Sequence, residues 1–441
     1  MIESTGFSGI SLLRGLLGVI TVLALAYLFS ENRKRIDWKL VLSGLLFQLV
    51  FVLLILYVPF IGTIFEYLGK IFVKIVNATQ AGVAFLLGPY ASKSNGVVFL
   101  IHSLPTLIVF SALVSLFYYW GIIQRVVYGF SWVLRRMFRN ISGAEGLVVG
   151  GNIFIGMSES PLLAKNYLPK MNKSELFLVM VSGMATIAGT VMGAYIGILG
   201  GNDPAMQIFF AKHLLSASVM AAPGAIVIAK MFCPQTEKIN DCSDDTCKVE
   251  NKDRKGGALE ALASGTVTGL RLMANVAAML LVFISLVALV NYIFEGVIGH
   301  YTGLNDWVVS VTDGKSSGFS VQFILGSILS PLMWLVGVPT DDLVSVGALL
   351  GQKTILNEFV AYLQMQEWKS AGLFIYEKSI VMSTYMLCGF ANIGSIGILI
   401  GALGILAPEK RPMIAGMGFR AMFAGALVSV LSATIVGMIL G

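Results

Sequence analysis

Apolar runs of twenty residues or more recur along this chain, and they decide what it can fold into. A helix needs about 20 such residues to cross ~30 Å of hydrocarbon, whereas a transmembrane barrel strand shows ~10-residue alternation. Helical spans read at 8–30, 38–58, 98–118, 174–199, 206–232, 271–294, 376–406 and 413–440. The 441 residues are 56% hydrophobic and only 12% charged, with a mean hydropathy of +0.83. A soluble domain carries about 25% charged residues. A cytoplasmic globular enzyme, a disordered scaffold and a disulfide-rich secreted module are therefore excluded. The fold class is an all-α polytopic membrane protein with eight transmembrane helices, and its high glycine content of 48 suits close helix packing.

Other apolar stretches do not fit a simple span. Residues 61–78 and 121–138 carry Glu66, Lys70, Lys74, Arg125, Arg135 and Arg136 at helical spacing, which predicts amphipathic helices along the interface, and 256–270 is a third such stretch. Residues 141–171 and 320–365 are apolar but broken, at Gly156-Met157-Ser158-Glu159-Ser160-Pro161 and at Val336-Gly337-Val338-Pro339. Proline removes a helix donor and clashes with the preceding turn. Each half is too short to span, so two re-entrant hairpins are expected, with the irregular backbone covered by protein or a cavity.

The net charge of +6 belongs to short basic loops rather than to a nucleic-acid surface. Arg33, Lys34, Arg35 and Lys39, then Arg135, Arg136 and Arg139, then Lys410 and Arg411 mark cytoplasmic loops, which puts both termini on the extracytoplasmic side. Ala24-Leu25-Ala26 imitates a signal cleavage site, but no basic segment precedes it. Loop 233–255, with Asp241, Asp244 and Asp245, reads as a flexible cytoplasmic insert. Cys233, Cys242, Cys247 and Cys388 form no C-x-x-C pair, and His102, His213 and His300 lie far apart, so neither a metal centre nor an intramembrane enzyme is expected.

An internal repeat is visible. Residues 183–189 (GMATIAG) and 389–395 (GFANIGS) match 206 residues apart, each in the long span after a broken hairpin. Inverted repeats with broken helices build secondary transporters whose substrate site lies near the midplane. Glu159 and Glu358 are stranded in apolar surroundings, Glu159 at the first hairpin tip and Glu358 in the second half of the second hairpin. Each costs ~2.5–3.5 kcal/mol at mid-membrane and must face a partner or cavity. Asn152, Thr186, Asn392 and Ser395 add amides and hydroxyls. Carboxylates only accept hydrogen bonds, so this set suits a neutral ligand rich in OH or NH. No Arg or Lys falls inside these motifs to clamp an anion, and Lys165 is expected near the membrane face. Lys212, His213 and Arg14 are read as snorkelling side chains, and Asp341 and Asp342 as acids favouring a helix N-terminus.

These motifs resemble the concentrative nucleoside transporter family, in its bacterial, purine-preferring type. The likeness rests on 150–163 with its G-[QM]-[ST]-E-[AS]-P core, on 174–195, on Asn357-Glu358-Phe359-Val360-Ala361-Tyr362, and on 387–398, and it extends from about 98 to 440. The resemblance implies a non-enzymatic sodium symporter of the inner membrane, a homotrimer with no cofactor, in which a transport domain moves as an elevator against a scaffold. It implies that Met157, Ser158, Glu159, Val191 and Phe390 meet the nucleobase. Glu358, Asn392 and Ser395 would hold the ribose, and Asn152, Ile155, Thr186 and Ile187 the sodium ion. The corresponding division is 1–140 mainly scaffold, 141–232 first transport repeat, 233–256 polar loop, 257–318 interfacial helix and sixth span, 319–406 second transport repeat, and 407–441 last span.

Three departures stand out. Met157 replaces a common Gln, Lys165-Asn166 replaces Arg-Pro, and Ile393 replaces an aromatic residue. A thioether cannot both donate to and accept from a pyrimidine edge, but it adapts to a bicyclic base. Purine-preferring relatives share the Gly156-Met157 and Thr190-Val191 combination. Proton coupling through Glu358, a carrier for another small polar solute, and a channel are the rival readings.

Overall fold

The computed structural model describes residues 8–91, 99–138, 140–237, 239, 257–312 and 314–440. Among them every regular element is helical. The first part runs α1 (Gly9–Leu28), α2 (Trp38–Tyr57), α3 (Pro59–Leu87), the single turn α4 (Phe99–His102), α5 (Pro105–Tyr119) and α6 (Ile122–Met137). Then come α7 (Gly143–Asn152), 3-10 turns at Ser160–Ala164 and Leu168–Lys170, α8 (Lys173–Ala185), α9 (Gly189–Gly200) and α10 (Pro204–Phe232). The rest is α11 (Ala258–Asn291), short α12 (His300–Thr302) and α13 (Leu304–Val311), α14 (Val321–Leu335), α15 (Leu343–Ile355), α16 (Glu358–Ser370), α17 (Glu377–Leu387), α18 (Ile393–Leu406) and α19 (Arg411–Leu440).

Local chemistry fixes the helix starts. The Asp37 carboxylate accepts from the amides of Lys39 and Leu40 ahead of α2. Capping boxes pair Ser142 with Glu145 at α7 and Asn172 with Glu175 at α8. Each satisfies backbone donors that have no helical partner.

Eight helices are long and apolar enough to cross a membrane by length and composition, and Pro59–Ala91 is one of them. The amphipathic stretch expected at 61–78 is thus part of the longer α3, because nothing breaks the helix before Gly88 turns to φ 55°. The expected span 376–406 is instead two half-helices, α17 and α18. The span expected at 174–199 is likewise broken between α8 and α9. The third interfacial stretch, 256–270, is the start of continuous α11. There Gly265 and Gly269 let α11 lie against α5: a Cβ on Gly269 would sit 2.7 Å from the Ile108 Cα.

Both hairpins differ in detail from the sequence expectation. The return arm of the first is 3-10 turns rather than a helix, since Pro161 and Pro169 interrupt it. The second has two breaks. Gly337, at φ 94°, bends α14 into α15, and a second bend at Leu356-Asn357 joins α15 to α16. Asn357 caps α16 by accepting from the Val360 amide, so Glu358 sits at a break and not within an arm.

Burial separates two helix classes. Within Lys173–Gly200 94% of an 18-residue apolar stretch is buried, against 11% within Ala258–Thr302. The inner bundle is therefore α8, α9, α10, α17 and α19, and α11 lies on its outside. A buried ion pair ties the first hairpin to that bundle: Lys230 Nζ is 2.6 Å from Glu145 Oε1 and also donates to Ser174 Oγ at 3.1 Å. At one end of the bundle Glu31 accepts from Lys173 at 2.6 Å and from Arg420.

Two side chains expected to snorkel do otherwise, and Asp342, an acid at a helix start as expected, makes further bonds there. His213 is buried, its Nδ1 3.5 Å from the Tyr385 hydroxyl. Arg14 donates to the carbonyls of Val338, at 2.8 Å, and Trp334, at 3.1 Å, capping α14. Asp342 is fully buried and accepts from the amides of Ile375 and Tyr376, both at 3.2 Å. Arg139, Asp241, Cys242, Asp244, Asp245 and Cys247 lie outside the described residues, while Cys233 and Cys388 are buried free thiols.

Candidate functional site

The two sequence repeats meet. Backbone unwinds at 186–188 between α8 and α9 and at 388–392 between α17 and α18. The Phe390 amide donates to the Thr186 carbonyl at 3.3 Å, joining the two unwound segments. Gly389 permits the crossing, because a Cβ there would lie 2.8 Å from the Ala185 carbonyl oxygen. Paired amides and carbonyls are what irregular backbone needs at such depth.

Each hairpin tip presses on one break. In the first repeat, Asn152 ends α7 and donates through Nδ2 to Ser182 Oγ at 2.8 Å, while its Oδ1 accepts from Ser160. Thr186 Oγ1 donates to the Ser182 carbonyl at 2.9 Å. Ile155 and Ile187 are buried beside them. Met157 packs on Gly183, where a Cβ would stand 2.7 Å from the Met157 Cβ. In the second repeat, Glu358 is buried and accepts from Tyr195 at 2.8 Å and from Asn392 Nδ2 at 3.1 Å. Asn392 Oδ1 in turn accepts from the Ser395 amide at 2.9 Å and caps α18. In the 206-residue register Asn152 corresponds to Glu358, and Thr186 to Asn392. Both pairs link a hairpin to a broken span.

A cavity of about 350 Å³ opens between the first hairpin and the outer helices. Glu159 and Thr190 line it, opposite Ser111 and Ser115 of α5 and Ser264 and Thr268 of α11. Its volume and mixed lining suit a small polar ligand. Ile155 also lines it, but Met157, Val191, Glu358, Phe390, Asn392 and Ser395 do not. Of the expected residues, Glu159 and Ile155 line this cavity, while Asn152, Thr186, Glu358, Phe390 and Asn392 are linked around the crossed breaks. Ser158 is exposed, Val191 buried and Phe390 half-buried.

Sequence reasoning missed four contributors. Tyr195 and Ser182 complete the bonds around Glu358 and Asn152. A buried tyrosine needs a partner for its hydroxyl, which was the available signal. Lys165, expected near the membrane face, is exposed and at the same time lines the Glu159 cavity. Lys353 is fully buried five residues before Glu358, so cations do accompany the motifs. A lone lysine in an apolar arm was the trace of it.

Comparison with known proteins agrees with this architecture. The pattern "Na+ dependent nucleoside transporter C-terminus" matches residues 213–437, its N-terminal counterpart 17–90, and the "Gate" pattern for nucleoside recognition 100–202. An uncharacterized transporter of Haemophilus influenzae is 36% identical over 436 residues, covering 98% of each chain. Sodium/nucleoside cotransporter 1 of Rattus norvegicus is 34% identical, over 96% of this chain and 62% of that one. The solved structure of CNTnw in an inward-facing substrate-bound state superimposes with a TM-score of 0.86 at 34% identity, covering 97% and 98% of the two chains. With its inner bundle, two hairpins and crossed breaks, the chain belongs to the Na+-dependent, concentrative nucleoside transporter family, a family of membrane carriers and not of enzymes.

Proposed function

We propose that the chain is a sodium-coupled symporter that imports nucleosides, purine nucleosides in preference, by elevator-type alternating access. It works as a homotrimer in the cytoplasmic or inner membrane, with both termini extracytoplasmic. The observation that carries this reading is the placing of Glu358, bonded to Asn392 and Tyr195 where the two broken helices cross. A carboxylate flanked by an amide has the acceptors and donors that vicinal ribose hydroxyls require. Ser395 lies one turn along, and Phe390 gives an apolar face at the same break. Glu159 can accept from base N–H groups. Met157, Ser158 and Val191 complete the base end, where a polarizable thioether favours a bicyclic base.

The first break suits a sodium ion. The Asn152 amide oxygen, the Thr186 hydroxyl and the carbonyls of Ile155 and Ile187 are hard oxygen donors. The C-terminal ends of α7 and α8 point the negative ends of their dipoles there. The rat relative's name and the substrate-bound inward state of CNTnw support the same reading.

Uptake into cells or proteoliposomes tests it. Inosine, guanosine or adenosine should compete better than cytidine or thymidine, and the reverse order would sink the purine preference. Uptake should collapse when choline replaces sodium at constant pH. A rate that ignores sodium but follows a proton gradient would select proton coupling instead.

A further inference from the structure

Lys353, on α15 of the second hairpin, is buried with no exposed surface. Its ammonium donates to the Met386 carbonyl at 2.6 Å and to Ser429 Oγ of α19 at 3.1 Å. Met386 lies in the last turn of α17, where the break removes the helical partners of the carbonyls. The others of that turn are taken: Thr384 by the Tyr362 hydroxyl at 3.0 Å, Tyr385 by the Cys388 amide at 3.2 Å, and Leu387 by the Gly389 amide at 2.8 Å. The lysine thus puts a full positive charge on the negative end of a helix, beside the break that Glu358 also faces.

The first repeat is built differently. In the 206-residue register Lys353 corresponds to Leu147, which is buried and apolar. Lys230, the buried lysine of that repeat, is held by Glu145 near the start of α7, away from the break. Helix α8 ends in extended Thr186, with no capping backbone N–H among the described residues. One broken helix therefore carries its own cation and its counterpart does not.

We infer that the Lys353 ammonium is the tethered counterpart, in the second repeat, of the mobile sodium ion in the first. Lys353 is a positioning residue: it neutralises the α17 end and holds the second hairpin on the break without touching the nucleoside. A tethered charge cannot leave, so only the first break responds to sodium, and one ion accompanies each nucleoside. This rests on the sodium coupling proposed above.

The test uses the full-length protein in proteoliposomes, with radiolabelled sodium and inosine. The wild type should move about one sodium per nucleoside, with a sodium Hill coefficient of about one. Lys353→Met should lower uptake at wild-type-saturating sodium roughly tenfold or more. Its sodium activation should steepen toward a Hill coefficient of about two, because a second ion now has to supply the lost charge. Lys353→Arg should keep the wild-type slope. A merely structural lysine would lower uptake and leave the slope unchanged, which overturns the inference. Two sodium ions per nucleoside in the wild type also overturn it, even where Lys353→Met does not fold. Sodium-independent wild-type uptake would instead overturn the coupling itself, and this inference with it.

Discussion

The amide of Phe390 and the carbonyl of Thr186 are 3.3 Å apart, and through that bond the unwound middle of one broken helix is fastened to the other. The bond exists because Gly389 has no side chain. A Cβ there would stand 2.8 Å from the Ala185 carbonyl oxygen and 3.0 Å from that of Met184, both backbone atoms that cannot turn aside. Gly389→Ala should therefore cost about 1–3 kcal/mol by overpacking and abolish most uptake. Thermal unfolding in detergent and nucleoside uptake measure the two effects; a variant with wild-type values of both would refute the crossing.

Glu358→Gln should fold. The new amide can donate to the Tyr195 oxygen and accept from Asn392 with little rearrangement. What it loses is the charge on the acceptor, and a hydrogen bond to a charged group is worth about 1.5–3 kcal/mol. The nucleoside KM should rise by at least roughly tenfold, while a 2′,3′-dideoxynucleoside, which lacks the hydroxyls, should be affected far less. An equal loss for both substrates would remove Glu358 from the ribose.

Asn152→Ala removes the acceptor shared with Ser160 and the donor to Ser182. The sodium concentration for half-maximal uptake should rise about tenfold, the equivalent of one hydrogen-bond-sized loss. Sodium should then raise the melting temperature less than it does in the wild type. An unchanged sodium titration would place the ion elsewhere.

Lys230→Met leaves the Glu145 carboxylate buried without its cation. Breaking such a pair costs about 3–5 kcal/mol. Denaturation should register that loss, and adding Glu145→Gln in the same chain should recover much of it. If the double variant is no better than the single one, the pair is not what holds the first hairpin down.

Acid should loosen one end of the bundle. Burial pushes the Glu31 carboxyl up, but the hydrogen bonds and charges of Lys173 and Arg420 outweigh it and leave it below the ordinary carboxylate range. A depressed folded value contributes stability that is present at neutral pH. That stability is lost as pH falls through the ordinary carboxylate range and below it. The wild type should lose melting temperature over that acid range, and Glu31→Gln should lose less. Parallel curves would rule the cluster out as the cause.

Much of this architecture was legible because lipid forbids most alternatives: long apolar runs had to be helices, and Gly337 with Pro339 marked a bend, although Pro223 and Pro331 sit inside continuous helices. The repeat at 183–189 and 389–395 pointed to the two segments that unwind, although both were read as continuous spans. Hydropathy does not register a break that keeps its apolar composition, and Cys388-Gly389-Phe390-Ala391 is such a break. The bend at Gly337 was read, and the second bend, before Glu358, was not, because Pro339 is a louder signal than Asn357. Only the capping bond to Val360 reveals the second turn. Partners distant in sequence, such as Tyr195 with Glu358 and Lys353 with Met386, have no local trace beyond a polar residue in apolar company.

The bond between Tyr195 and Glu358 bears on the ancestry of the fold. It runs between the halves, and 206 residues after Tyr195 stands Gly401. Two copies of the first half would set Tyr195 against Asn152, and two copies of the second would set Gly401 against Glu358, so neither would offer a phenol to a carboxylate. Since duplication the halves have become complementary rather than equivalent, and neither could be exchanged for a second copy of the other.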